Sequence, residues 1–184
     1  MTSIVNRMER VFGLILLAGL LGTVPARGVT YYVAPPPAGD DMRTGLDYWT
    51  NAVASISNAV YMARTSAGNL ILVSNGLYTL STPVTITNGT TMRSWNNGAV
   101  DPTNTIVKGN GLTRCFNLQH AGAVLNGLLI TNGSESSAGG VYLNAGIVTN
   151  CTITGNSATG QTTRAGGGGA FIWTAGPPGW LTVG

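Results

Sequence analysis

Few residues in this chain can do acid, base, nucleophilic or metal chemistry, and their spacing limits what they can do together. From Asn69 onward the only acids are Asp101 and Glu135. Glycoside hydrolysis needs two carboxylates across one bond, one to donate a proton and one to activate water or attack. A hard cation asks for about six to eight oxygen ligands. Two acids 34 residues apart supply neither. Arg93, Lys108, Arg114 and Arg164 are the cations available to take a proton from an acidic sugar. β-Elimination also needs a neighbour that holds the sugar carboxylate as charge develops, and few acids stand beside these four to bind calcium for that purpose. Lys108 and Arg114, six residues apart, are expected on different strands.

Upstream, Asp40, Asp41 and Asp47 form the one acidic cluster, in D-D-M-R-T-G-L-D. The spacing is not that of an EF-hand loop, and bonding to local backbone is the expected role. His120, the only histidine, stands in Q-H-A-G without a Cys, Asp or second His beside it. It reads as a solvated turn residue rather than a metal ligand. Tyr142, Trp173 and Trp180 have rings that can stack on sugars, though packing and tail positions are the expected ones. No catalytic, cofactor-binding or metal-ligating residue is assigned, no cofactor is expected, and the balance is against an enzyme.

Composition says what kind of framework holds these residues. Of 184 residues only 8% are charged, while 27 are glycine, roughly twice the usual share. That excludes charge-rich disorder and coiled coil, and there is no G-X-Y period for collagen. The net charge of +3 comes without any basic cluster, so nucleic acid is not an expected partner. Gly, Thr, Asn, Ser and small aliphatics in bulk point to short strands and tight turns.

Residues 1–26 read as a signal peptide. Arg7 and Arg10 precede the apolar run Val11 to Gly22, and Val24 and Ala26 are the small residues before a cut at Arg27; Ala26 and Gly28 frame an alternative cut at Val29. The run is too short to span a membrane, so the mature protein is expected to be secreted or on the cell surface, with no membrane span. Residues 27–68 hold an alternating strand (Val29, Tyr31, Val33), a Pro35–Pro37 stop, and one helix. Val53, Ile56, Val60 and Ala63 fall on one helical face, with Thr50 or Asn51 as cap and Gly68 past the end. A lone helix ahead of strands predicts a lid on the first coil of a stack.

Residues 69–172 repeat. AGAVLNGLLITN at 121–132 matches AGIVTNCTITGN at 145–156 at an offset of 24, which pairs Asn126 with Asn150 and Leu129 with Ile153. FNLQ at Phe116 matches VYLN at Val141 at an offset of 25, and Gly168-Gly169-Ala170 repeats Gly139-Gly140-Val141. NTIVKGNG at Asn104 and PVTITNGT at Pro83 are fainter echoes. A period of this length means stacked coils. A leucine-rich repeat fits only partly, because Thr149, Thr152 and Thr154 replace its leucines in the second copy. The fold class predicted is all-β, a right-handed parallel β-helix with coils of about 24 residues. Leu129 would stack on Ile153, Thr152 and Thr154 would face out, and Asn126 over Asn150 would form an internal amide ladder, with Gly127 easing the turn. At this period Cys115 and Cys151 lie about half a coil out of phase, which favours two buried free thiols over a bridge.

YYVA at Tyr31, GDDMRTGLDYW at Gly39, AVASISNAV at Ala52 and GNLILVSNGLY at Gly68 together resemble the opening of right-handed parallel β-helix proteins of the pectin/pectate lyase-like superfamily. Asn69 stands where that family often has Asp. NCTITGNSA at Asn150 followed by GGGGA is similar to repeats of bacterial surface β-helix proteins, including polymorphic outer-membrane proteins. The resemblance implies the fold. It also places the acidic cluster in the opening turn, and it leaves function open among lyases, hydrolases, adhesins and stalks. Residues 173–184 leave the repeat register with a Pro-Pro pair and read as an irregular tail, expected at the end of a piece of a longer protein. The function expected is an exported, non-catalytic β-helix module, a surface stalk, adhesin or carbohydrate-contacting scaffold. Its partners would be polysaccharide or cell-surface components, with self-association through an uncapped coil edge. The competing expectation is the start of a polysaccharide lyase or glycoside hydrolase whose catalytic coils lie elsewhere.

Overall fold

The computed structural model describes residues 28–160, 168–172 and 180–181. The signal segment, Arg164 and Trp173 fall outside them. Strand is the main regular structure, and every pairing between the described strands is parallel. In order they are β1 (Thr30–Val33), β2 (Leu70–Ser74), β3 (Gly76–Thr79), β4 (Val84–Ile86), β5 (Thr91–Trp95), β6 (Thr105–Lys108) and β7 (Phe116–Asn126). Then come β8 (Leu129–Thr131), β9 (Ser134–Glu135), β10 (Val141–Thr149), β11 (Thr152–Ile153), β12 (Ser157–Ala158), β13 (Ala170–Ile172) and β14 (Trp180–Leu181). The largest sheet runs β1-β2-β5-β7-β10-β13, with β4 also on β7 and β14 also on β10. A second runs β11-β8-β6-β3, and β12 pairs β9 in a third.

Period-2 alternation explains why these segments pack as they do. The register stacks Tyr31, Ile71, Met92, Leu125 and Val148 in one column. Val84, Phe116, Val141 and Ala170 make another, and Tyr78, Val107, Ile130 and Ile153 a third from the second sheet. All three columns meet in one apolar cluster. Full burial of a side chain such as Phe116 or Ile130 is worth about 1.5–3 kcal/mol each.

The offsets of 25 for Phe116 on Val141 and 29 for Val141 on Ala170 are present as expected. The repeat length is corrected. Ile106 lies beside Leu129, Leu129 beside Thr152 and Ser134 beside Ser157, so partners are 23 apart, not 24. Ile153 therefore stacks on Ile130 rather than on Leu129. The slip arises in β7, which has two more residues than β10 between the pairs Leu118–Leu143 and Val124–Ile147. His120 sits in that bulged stretch of strand, exposed, its Nδ1 accepting the Gly122 N–H at 3.0 Å; it is not in a turn.

The helix is shorter than its periodicity suggested. α1 spans Ile56–Ala63, and its cap is Ser55, whose hydroxyl accepts the Asn58 N–H at 3.2 Å, not Thr50 or Asn51. Residues Trp49–Asn51 form a separate 3-10 turn, and Val53 makes a parallel bridge to Val33 instead of a helical turn. α1 buries Ile56, Ala59 and Ala63 against the apolar cluster. The backbone edge of β1 is covered by the segment before the helix. Tyr32 N–H donates to Gly45 O at 2.7 Å, Val53 N–H to Tyr32 O at 3.0 Å, and Ala34 N–H to Val53 O at 3.0 Å. Helix and cover thus divide the work that the sequence assigned to the helix alone.

Asn69, the departure from the family pattern, is 1% exposed. Its amide donates to Ala63 O at 2.7 Å and Ser66 O at 2.9 Å, while its oxygen accepts the Val29 N–H at 2.8 Å. Asn88 donates to the same two carbonyls. Helix C-terminal carbonyls lack intrahelical partners, and here two amides supply the donors. An aspartate has no N–H to give.

Candidate functional site

The acidic residues do structural work. Asp40 Oδ1 accepts the Met42 N–H at 3.0 Å. Asp41 Oδ1 accepts the N–H groups of Ala54 and Ser55, each at 2.9 Å, and the Asn58 amide at 3.4 Å. Burial works to raise the Asp41 pKa, but these bonds from Ser55, Asn58 and Ala54 outweigh it and hold the carboxyl below its ordinary value. Asp47 has a left-handed backbone, φ 71°. Asp101 gathers Thr103, Asn104 and Asn96 around its carboxylate, and the Thr103 and Asn104 bonds hold it well below the usual range. Glu135 Oε1 accepts the N–H of Ser136. Among the described residues no group of three His, Cys, Asp or Glu side chains comes together.

Cys115 and Cys151 are free. Burial pushes the Cys115 thiol up to about 11 and raises Cys151 as well. Cys115 is fully buried, whereas Cys151 is only half-buried, its sulfur accepting the Leu128 N–H at 3.4 Å. Arg114 donates to Ser137 O and Ala138 O and lies 4.7 Å above the Tyr142 ring. That makes Arg114 a clamp on the neighbouring turn, and burial lowers its pKa. Tyr142 packs on Phe171 at 5.5 Å, as a packing residue would. Lys108 is exposed at the end of β6. Trp180 pairs within β14, inside the stretch expected to be irregular.

The amide pair exists but not as expected. Asn150 Nδ2 donates to Asn126 Oδ1 at 2.9 Å, yet Asn150 is exposed and Asn126 half-buried, so the ladder is on the surface. The ladder partner of Asn126 is Thr149. Asn150 itself has φ 50°, matching Gly127 at φ 74° one repeat earlier in the sequence; Gly155 at 63° matches Asn132 at 55° in the same way. Both residue types tolerate the left-handed region, which explains the exchange.

The feature that sequence reasoning missed is aromatic. Alternation that turns Tyr31, Met92 and Ser94 inward turns Tyr32, Arg93 and Trp95 outward on the largest sheet. Tyr32, Leu72, Arg93, Asn126 and Thr149 form one outward row across five strands. The 3-10 turn brings Trp49 edge-on to Tyr32, with ring centroids 4.9 Å apart, and within 6.3 Å of Trp95. Tyr48, 61% exposed, lies 6.2 Å from Tyr32. The Arg93 guanidinium stands 5.3 Å from the Trp95 ring centre. Leu72 is only 6% exposed although it faces outward and lies outside the main apolar cluster. Its neighbours in the row are Tyr32 on one side and Arg93 on the other.

Farther along the row the surface becomes a groove of about 500 Å³, lined by Val100, Pro102, Asn150, Cys151 and Thr152. Its wall is the 96–104 loop. Asn96 and Ala99 exchange backbone bonds at 3.0 and 2.9 Å, and Ser94 Oγ accepts the Asp101 N–H at 2.8 Å. Rings, a cation, then amides and hydroxyls thus follow one another across the strands. No protein-family model, curated protein or solved structure matches this chain.

Proposed function

We propose that the chain is an exported, non-catalytic scaffold, a right-handed parallel β-helix whose outward aromatic row contacts carbohydrate. Two parallel sheets sharing one core, with a short third parallel pair beside them, support the solenoid reading. The chain visits them in the repeating order β7, β8, β9 and then β10, β11, β12, with β8 on β11 and β9 on β12 each 23 residues apart. The right-handed sense follows from the strong bias of parallel crossovers. Export rests on the basic, apolar and small-residue pattern of residues 1–26.

The observation that carries the binding function is the outward group of Tyr32, Tyr48, Trp49 and Trp95. Rings set edge to face present apolar faces and polar tips together, which suits the apolar faces and hydroxyl rims of sugar rings. The amides of Asn126 and Asn150 continue the same surface with hydrogen-bonding groups.

Affinity electrophoresis of the mature protein through gels containing neutral and acidic polysaccharides tests this. The expected result is retardation in at least one polymer, lost in Trp95→Ala and Trp49→Ala variants whose circular dichroism matches the parent. Equal mobility of the parent in every gel would overturn the carbohydrate reading. Incubation with the same polymers should give neither unsaturated nor new reducing ends; release of either would promote the lyase or hydrolase alternative.

A further inference from the structure

Arg93 is, among the described residues, a cation without an anion beside it. Among the described residues it forms no ion pair and donates no hydrogen bond, and its Nε is enclosed without an acceptor. An enclosed donor without an acceptor is destabilising, and a ligand oxygen would relieve it. The two terminal nitrogens have no acceptor either and are not among the buried unpaired atoms, so they reach solvent. That open pair is the edge of the guanidinium fork that meets a planar or tetrahedral oxyanion end-on. Trp95 backs it from one side, and Asn126 adjoins it on the next strand. Asp101 and Arg114 are already engaged elsewhere, Asp101 by Thr103, Asn104 and Asn96, and Arg114 by the carbonyls of Ser137 and Ala138.

We propose that Arg93 is the specificity-determining residue of the aromatic surface, taking an anionic substituent of the bound glycan, a carboxylate or a sulfate, while Trp95 and Trp49 hold the sugar rings. This rests on the carbohydrate reading above. In the row, Arg93 lies between the ring of Tyr32 on β1 and the amides of Asn126 on β7 and Asn150 just after β10. A chain lying across the strands would therefore place its charge between an apolar and a hydroxyl-bonding stretch. The charged contact adds selectivity, and the rings add affinity that any sugar can use.

The test compares binding of polygalacturonate, dextran sulfate and an uncharged galactan by affinity electrophoresis at fixed ionic strength. The parent should bind at least one anionic polymer about tenfold or more tightly than the galactan, in line with one charge-assisted hydrogen-bonding contact. Arg93→Gln should shrink that ratio toward one, and Arg93→Lys should keep only part of it. Preference for polygalacturonate that fades below pH 4 marks a carboxylate ligand; preference for dextran sulfate that persists there marks a sulfate. An Arg93→Gln ratio equal to the parent's overturns the assignment of Arg93 even if Trp95→Ala abolishes binding. Failure of the parent to bind any polymer overturns the carbohydrate reading itself.

Discussion

Gly127 and Gly111 offer a paired test of what the turn after β7 requires. Both have left-handed backbones, φ 74° and 78°. A Cβ at Gly127 would lie 2.1 Å from Val100 Cγ1 and 2.5 Å from Ser94 Oγ, whereas at Gly111 nothing comes closer than the Asn132 side chain at 3.9 Å. Gly111→Ala should cost only the left-handed strain, about 1–2 kcal/mol. Gly127→Ala should add an overpacking cost of about 1–3 kcal/mol, for a total of about 2–5 kcal/mol. The clash also falls on the loop that walls the groove, and Ser94 can retreat only by giving up the Asp101 N–H. Urea unfolding followed by tryptophan fluorescence measures both variants against the parent, with the slope checked for constancy. Trp95 is one residue from Ser94, so its native-state emission should shift in Gly127→Ala and stay put in Gly111→Ala. Equal destabilisation of the two would refute the packing term, and with it the claim that the 96–104 loop is seated on Gly127.

Three further outcomes are expected. Asn150→Leu should lose about 1–3 kcal/mol from left-handed strain plus one exposed hydrogen bond, and Asn150→Gly clearly less; equal losses in urea melts would return the weight to the amide pair. Asp41 has a folded pKa below its unfolded one, so the stability it adds is full above about pH 4 and is lost as pH falls through the folded value. Asp41→Asn should therefore flatten the fall in unfolding free energy between pH 5 and pH 2, and an unchanged slope would remove Asp41 from the account. Titration with a thiol reagent at pH 8 should find Cys115 inert in the folded protein and both thiols reactive in denaturant; no reactive thiol in denaturant without reductant would mean a bridge.

Much of the architecture was legible because alternation is local. Phe116, Leu118, Val141 and Leu143 announce their inward parity within four residues, and the offset between the two strands follows. The one-residue slip further on was not legible by letters. Asn126-Gly127 and Asn150 look aligned by their asparagines, but the backbone aligns Gly127 with Asn150 because both accept a positive φ. Matching residues by conformational tolerance rather than identity would have given 23. The helix start was hidden for a different reason. Val53 has the right phase for α1, but strand-like bonding to Tyr32 and Ala34 claims it, and Asp41 holds Ala54 and Ser55 from 13 and 14 residues away. The aromatic surface was legible only in part. The outward parity of Tyr32, Arg93 and Trp95 can be read from their neighbours, but Trp49 reaches them through a turn whose position no periodicity specifies.

The covered edge of β1 bears on the order of events in folding. With Gly45 and Val53 bonded along one side, β1 has a single side left for pairing, and β2 takes it. Every later strand of the largest sheet finds its partner at least 21 residues away, with no hairpin to start it. Such distant parallel pairings are slow to nucleate, and each becomes easier once the previous strand is fixed. Growth then has a direction, from the covered edge of β1 toward the later strands, which is also the order in which a ribosome releases the chain.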